Sequence, residues 1–526
     1  MMRWLLALAS VGAACLGLAL APASALADHT QISIFQDDEH LIDSSTATVE
    51  GTLGILHALG VEEIRVNLEW YTVAPDPLSY TEPQNFNATD PDDYPAGAWA
   101  PYDRLVDLAA LAGMRVQFNL TAPGPLWAMG RHPPTTRAAN HWYPNGLDFF
   151  DFVYAVGERY SGSPGDQPRV DNWSIWNEPN QPGWLAPQWA QVKGQEVRES
   201  PILYRQLADY AYYGLYFSGH ADDSILIGET APEGDETPGY YTAQTPLPWL
   251  RAVYCVNDAL QPLRGPAASA EDCPTKGSVS KFVQANHVLF YATGYAHHPY
   301  YFFHSPSYSS NDEPNFIPLA NLGRLGRFLD GTFHTYGVKR QIPIYFTEYG
   351  YDTKPPNPYQ VVTPAEQAVW LNEADYMAWS NPRVKSVAQF LLFDSAPNSL
   401  YKPNTRDYWD TFQTGLMFAN GTPKPALFSY RMPIWIPNPH VAPGASTFIW
   451  GQVRPADQSP AQKVEIQWRP AGKGSYRTIA VAQTVTDTGY LTARVKLPGS
   501  GFVKLSWTAP GFATIHSRAA PVTVSP

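Results

Sequence analysis

From Gln31 to about Tyr430 the hydrophobic pattern switches repeatedly between two periods. Short apolar runs with strand-like character alternate with segments whose apolar positions recur every three to four residues, as on one face of a helix. Eight strands are predicted, at 32–35, 63–68, 114–120, 170–177, 225–229, 294–298, 342–348 and 387–393. Each is followed by a segment long enough for a helix. The first helix is capped by Ser44 or Ser45, buries Leu53, Leu56 and Leu59, and stops at Gly60. The second carries Leu105 and Leu108 and stops at Gly113. Strict alternation of this kind predicts a parallel sheet with crossover helices, and eight units predict closure into a (β/α)8 TIM barrel. A doubly wound sheet would announce a glycine-rich phosphate loop after an early strand. Neither a GxGxxG nor a Walker pattern occurs.

The pattern changes after the barrel. Pro433, Pro437, Pro439 and Pro443 predict a stiff connector over 433–443. Beyond it, Val464–Trp468, Leu491–Val495 and Phe502–Trp507 alternate with period two between glycine and proline turns. An all-β sandwich over 444–526 is expected, of fibronectin type III or immunoglobulin-like form. It would serve as a carbohydrate-binding module or as a spacer. At the other end, Arg3 precedes a charge-free apolar stretch from Trp4 to Ala21, and Ala25-Leu26-Ala27 offers a small-x-small cleavage site. This describes a secretory signal peptide over 1–27, leaving a catalytic domain over 28–432. Cys15 lies within the apolar run rather than at its end, unlike a lipoprotein cysteine.

Composition narrows the function. The chain has a formal net charge of −13 and no basic run, which argues against a nucleic-acid partner. No later stretch is apolar enough to insert into a membrane. An exported, bacterial, monomeric protein is expected. Aromatic residues make up 13%, with 17 Trp and 31 Tyr, which suits a ligand whose C–H faces stack on rings, such as a carbohydrate. Once the signal peptide is removed, Cys255 and Cys273 are the remaining cysteines, and in an oxidising compartment they are expected to form a disulfide.

Two strand ends carry the chemistry. Trp176-Asn177-Glu178-Pro179-Asn180 closes the fourth strand, and Thr347-Glu348-Tyr349-Gly350 closes the seventh. Strands four and seven stand nearly opposite in an eight-strand barrel, so two carboxylates at their C-terminal ends can flank one bond. Glycosidic cleavage needs such a pair: one carboxyl protonated to assist the leaving oxygen, the other ionised to attack the anomeric carbon. Other chemistries lack their residues. There is no HExxH pattern, His297 and His298 have no third ligand, and no Gly-x-Ser-x-Gly elbow occurs. Nothing calls for a cofactor or a metal.

These motifs resemble those of clan A of the glycoside hydrolases, in particular the β-xylosidase-like family 39 and the cellulase-like family 5. The resemblance spans about Ile32 to Tyr430 and none of the tail. It implies a retaining O-glycosyl hydrolase that degrades a poly- or oligosaccharide, with Glu178 as general acid/base and Glu348 as nucleophile. It further implies that Arg65 on strand two supports the ionised nucleophile, and that His298 and Tyr300 after strand six line the site, with Tyr300 bonded to Glu348. Asn177 and Trp176 are expected to meet the sugar. Where many clan members place a Trp on strand eight, this chain has Phe390. Phe390 is expected to stack in its place, or the subsite is built differently. Trp127, Trp142, Trp184 and Trp189 are further subsite candidates on loops, with Asn119 and Asp38 behind them. A glycan-binding barrel with weak catalysis and a transglycosylase remain the alternative functions.

Overall fold

The computed structural model describes residues 30–525 apart from 164, 166, 193, 457–460, 486–487 and 509–512. The signal-peptide expectation, with Cys15, lies outside the described residues. Eight strands form a closed barrel: Ile32–Gln36, Glu63–Glu69, Arg115–Thr121, Asn172–Ile175, Ser224–Thr230, Gly294–His297, Ile344–Phe346 and Val384–Phe390. All eight pairings are parallel, and strand eight closes onto strand one through Ile32 opposite Ser386. The principal crossover helices include Thr46–Ala58, Ala100–Leu111, Gly146–Arg159, Ser200–Leu215, Gly323–Thr335 and Pro364–Trp379.

Local signals explain the helix ends. Ser45, rather than Ser44, caps Thr46–Ala58 by accepting from the Thr48 backbone N–H. Leu53, Leu56 and Leu59 are buried beneath that helix. Gly60 ends it at φ +74°, and a Cβ there would strike Arg454 and Pro455. Thr363 and Glu366 form a reciprocal capping box at Pro364–Trp379.

Five strands match their sequence-based bounds to within one residue at each end, and three differ by more. Strand four is shorter, because the chain turns at Trp176 (φ +62°) and leaves the ladder after Ile175. Strand seven likewise contracts to three residues. Strand eight begins earlier, at Val384, which pairs with Ile344.

Within a barrel strand the alternation has an unusual sense. On strand two, Ile64, Val66 and Leu68 pack in the main hydrophobic core. Their alternating partners Glu63, Arg65 and Asn67 therefore point to the barrel interior. The interior is thus strongly polar, and the apolar faces look outward to the helices.

The C-terminal region forms two sheets. One contains Ile434–Trp435, Ser446–Gln452 and Tyr490–Lys496; the other is built on Lys463–Pro470, Arg477–Gln483, Gly501–Trp507 and Ala520–Val524. Val464, Ile466, Leu491, Val503 and Leu505 fill the space between them. The proline-rich segment is not a free-standing connector: Ile434 and Trp435 pair antiparallel with Gly451 and Trp450. Trp379, at the end of helix Pro364–Trp379, packs on Trp450 and Tyr490, and Arg454 donates to the Tyr430 carbonyl at 2.9 Å. Gln31, Gly60 and Trp379 all lie toward the N-terminal ends of the strands, so the sandwich is docked away from the barrel mouth.

Cys255 and Cys273 are disulfide-bonded, with Cα atoms 5.7 Å apart. The bridge ties down the long segment between strands five and six. No helix among the described residues is long and apolar enough to cross a membrane.

Candidate active site

The ends of strands two, four, five, six and seven converge on one cluster of charged groups. Arg65 is the organising cation, with 0% side-chain exposure. Its Nη1 donates to Glu348 Oε1 at 2.8 Å and to the Gln36 side chain. Its Nη2 donates to Asn177 Oδ1 at 2.8 Å and to Glu229 Oε2 at 3.1 Å. A guanidinium suits this position because its planar fork offers several donors in fixed directions.

His298 is the second cation. Its Nδ1 lies 2.9 Å from Glu178 Oε1 and 3.5 Å from Glu348 Oε2, and its Nε2 lies 2.6 Å from Glu229 Oε2. Burial alone would lower the ring's affinity for a proton. The surrounding carboxylates Glu348, Glu178 and Glu229 outweigh burial and push its pKa up to about 10. With a carboxylate oxygen facing each nitrogen, the protonated ring donates from both. The adjacent His297, by contrast, is pushed down to about 4 by burial; its Nε2 donates to the Ile317 carbonyl at 2.8 Å and its Nδ1 accepts from the Thr230 hydroxyl at 2.9 Å.

The two carboxylates expected to react are partly open to solvent, whereas their partners are not. One oxygen of Glu178, one of Glu348 and a His298 ring nitrogen all lie within 4.8 Å of one another. Burial raises the Glu178 pKa above the ordinary carboxylate value, against the opposing pull of the His298 hydrogen bond. Glu348 accepts from Arg65 and, at 3.2 Å, from the Tyr300 hydroxyl. Among the described residues this trio is the cluster with metal-ligand spacing. A doubly donating imidazolium has no lone pair to offer an ion, so the donor set suits proton transfer better than coordination.

The structure thus gathers Arg65, Asn177, Glu178, His298, Tyr300 and Glu348 in one place. Asn119 joins them, donating to Asn67 and to Asn177 Oδ1. Asp38 borders the site, accepting from the Asn67 backbone N–H at 2.7 Å, and burial pushes its pKa up to about 6. Phe390 is half-buried at the end of strand eight, its ring edge-on to Phe412 at 5.1 Å.

Trp176 is a correction. Its side chain is 0% exposed, its Nε1 donates to the Trp184 carbonyl at 3.0 Å, and its ring meets Phe149 edge-on. The turn at φ +62° sends it outward into the core while Asn177 and Glu178 face the mouth. Among the loop tryptophans, Trp142 is buried against Tyr143 and Tyr240, and Trp189 lies under Arg198. Trp127 and Trp184 are half-buried.

Sequence reasoning missed Glu229. It ends strand five, has 0% exposure, and accepts from Arg65, Ser174, His298 and Thr347. Burial would raise its pKa, yet Arg65, His298 and Ser174 hold it at about 2. A signal was present: Gly228-Glu229 closes a barrel strand as Asn177-Glu178 and Thr347-Glu348 do. Gly228 sits at φ +104°, and a Cβ there would lie 2.5 Å from the Tyr295 ring.

No protein-family model matches the chain, and no curated protein matches it. Solved structures resemble its fold. A GH5_18 protein from Bifidobacterium longum subsp. infantis aligns at 13% identity over 76% of this chain and 77% of its own, with TM-score 0.45. A GH5_18 protein from Streptomyces cattleya, solved with GlcNAc, gives 13%, 76%, 78% and 0.44. A family 1 β-glucosidase from Thermotoga maritima gives 13%, 74%, 92% and 0.43. Similarity at this level carries no argument about activity.

Proposed function

We propose that this chain is a retaining glycoside hydrolase acting on a poly- or oligosaccharide outside the cell, with Glu178 as acid/base and Glu348 as nucleophile. The observation that carries the reading is the approach of their oxygens to within 4.8 Å at the C-terminal mouth of a closed barrel. Retaining enzymes hold their carboxyl groups ~5–5.5 Å apart, whereas inverting enzymes need ~6.5–9.5 Å to admit a water.

Charge supports this division of roles. Three carboxylates and two cations share the cluster, so it is neutral when one carboxyl keeps its proton. Glu229 is held ionised, and Glu348 accepts from a guanidinium. Glu178, raised by burial, is the group that keeps the proton. In the first step Glu178 gives that proton to the glycosidic oxygen. The bond from this oxygen to the anomeric carbon breaks as Glu348 bonds to the carbon. In the second, ionised Glu178 takes a proton from water, whose oxygen displaces Glu348 and restores the acid. Arg65 and Tyr300 orient Glu348 throughout, and Asn177, whose Oδ1 is occupied, has its amide protons left for a sugar hydroxyl. Phe390, half-buried at the end of strand eight, is the ring that would stack against that sugar.

On an activated aryl glycoside, Glu178→Ala should keep a fast first step and slow the second by ~10²–10⁴-fold, with azide restoring turnover. Glu348→Ala should lose the chemical step altogether, and proton NMR of the first product should show the anomeric configuration of the substrate. Parental rates in both variants on a true substrate would end this reading.

A further inference from the structure

Both reacting carboxylates are tethered to cations, and both cations are tethered to the same third group. Glu229 Oε2 lies 3.1 Å from Arg65 and 2.6 Å from His298, and Thr347 donates to it at 2.6 Å. Its other oxygen accepts from Ser174. Its backbone carbonyl accepts the Glu178 N–H at 3.0 Å. Five strands, two, four, five, six and seven, therefore meet at one residue that solvent and substrate cannot reach.

We infer that Glu229 is a positioning residue that sets the site through two arms: Glu229–His298–Glu178 and Glu229–Arg65–Glu348. The inference takes from the proposed function only the roles of the two outer carboxylates.

The physical reason is desolvation. Two buried cations without a buried anion would be costly, and a carboxyl open to solvent cannot supply that charge without leaving its task. Glu229 supplies it where no sugar can displace it. Its second effect is on His298. The charged and titratable groups facing that ring are Glu178, Glu229 and Glu348, with Arg65 beyond Glu229, Tyr300 beside it and neutral His297 next in the chain. Glu229 occupies Nε2, which compels Nδ1 to address Glu178, and the anion keeps that nitrogen a donor. When Glu178 has given up its proton to the leaving oxygen, Nδ1–H is already aligned to hold the carboxylate that must next activate water. Thr347 and Ser174 fix the Glu229 carboxylate plane, so the direction of both arms follows from groups outside the reaction.

The test is a histidine titration in the full chain, labelled with 15N-histidine, with the His298 signal assigned by its loss in His298→Gln. In the parent, both ring nitrogens should carry protons from pH 5 to 9. In Glu229→Gln, with Glu178 and Glu348 still facing the ring, it should lose a proton at a clearly lower pH than in the parent. In the same variant kcat should fall by ~10–100-fold, with KM changed less, the scale seen when a supporting partner is removed from a liganding group. Glu229→Asp should restore the imidazolium and part of kcat. A parental ring that is neutral at pH 7 overturns the inference without any variant, as does a Glu229→Gln enzyme whose His298 titrates as the parent does. Because the titration needs no substrate, it stands or falls separately from glycosidase activity.

Discussion

Two buried glutamates inside one barrel have opposite fates. Glu229 at the mouth and Glu63 at the floor are both almost wholly shielded from solvent. Glu229 is held at about 2 by a buried guanidinium, an imidazolium and hydroxyl donors. Glu63 has only Arg115, at 3.3 Å and 48% exposed, and burial pushes it up to about 7. Its Oε2 and the Gln117 Oε1 find no hydrogen-bond partner in the protein and border a cavity of about 430 Å³. Burial by itself neutralises a carboxyl; it is enclosed, fixed opposite charge that keeps one ionised. The mouth has that charge and the floor does not, which favours the mouth for the proposed chemistry.

The comparison breaks most severely at Arg65. Replacing it with Met leaves Glu229 and Glu348 without their cation, and unfolding free energy should drop by about 3–5 kcal/mol, with activity lost. Chemical denaturation would read this directly; a drop below 1 kcal/mol would mean that the mouth is not held by charge.

The floor gives a smaller effect of opposite pH sense. Glu63 has a folded value of about 7 against 4.5 unfolded, so its contribution is full below pH 4.5 and is lost as pH rises to 7. The loss is on the order of 3 kcal/mol. Glu63→Gln should flatten the decline in Tm across that window, whereas an unchanged slope would show that Glu63 ionises normally. Glu229 runs the other way: its contribution is present above pH 4.5 and fades only as pH falls toward 2. Least affected of all should be Arg115→Gln, which removes a half-exposed partner and should shift stability by less than about 1 kcal/mol. A larger cost would make floor and mouth alike.

Much of the site was legible because its residues lie at strand ends beside recognisable neighbours. Glu178 within Trp176–Asn180 and Glu348 before Tyr349-Gly350 stand out along the chain, whereas Arg65, His298 and Tyr300 were implied by the resemblance to clan A. Glu229 was not read from its Gly228 neighbour, because a lone Glu at a strand end is ordinary until four other strands aim donors at it. Trp176 failed for a related reason. Its motif says that it is next to the site, and only the backbone turn says which way it faces. The proline-rich segment misled in the same manner: prolines at 433, 437, 439 and 443 mark breaks in local structure, yet Ile434 and Trp435 between them still pair across space.

The order of strands and helices, a serine cap at 44 or 45, the disulfide partners and the candidacy of the two outer carboxylates were legible in sequence alone, since each depends on local pattern, residue type or a short motif. Tertiary structure decided which carboxyls lie against buried cations, which way Trp176 faces and what the C-terminal sheets touch. Those depend on distances between residues as remote as Arg65 and Glu348, which only the closed barrel brings to 2.8 Å.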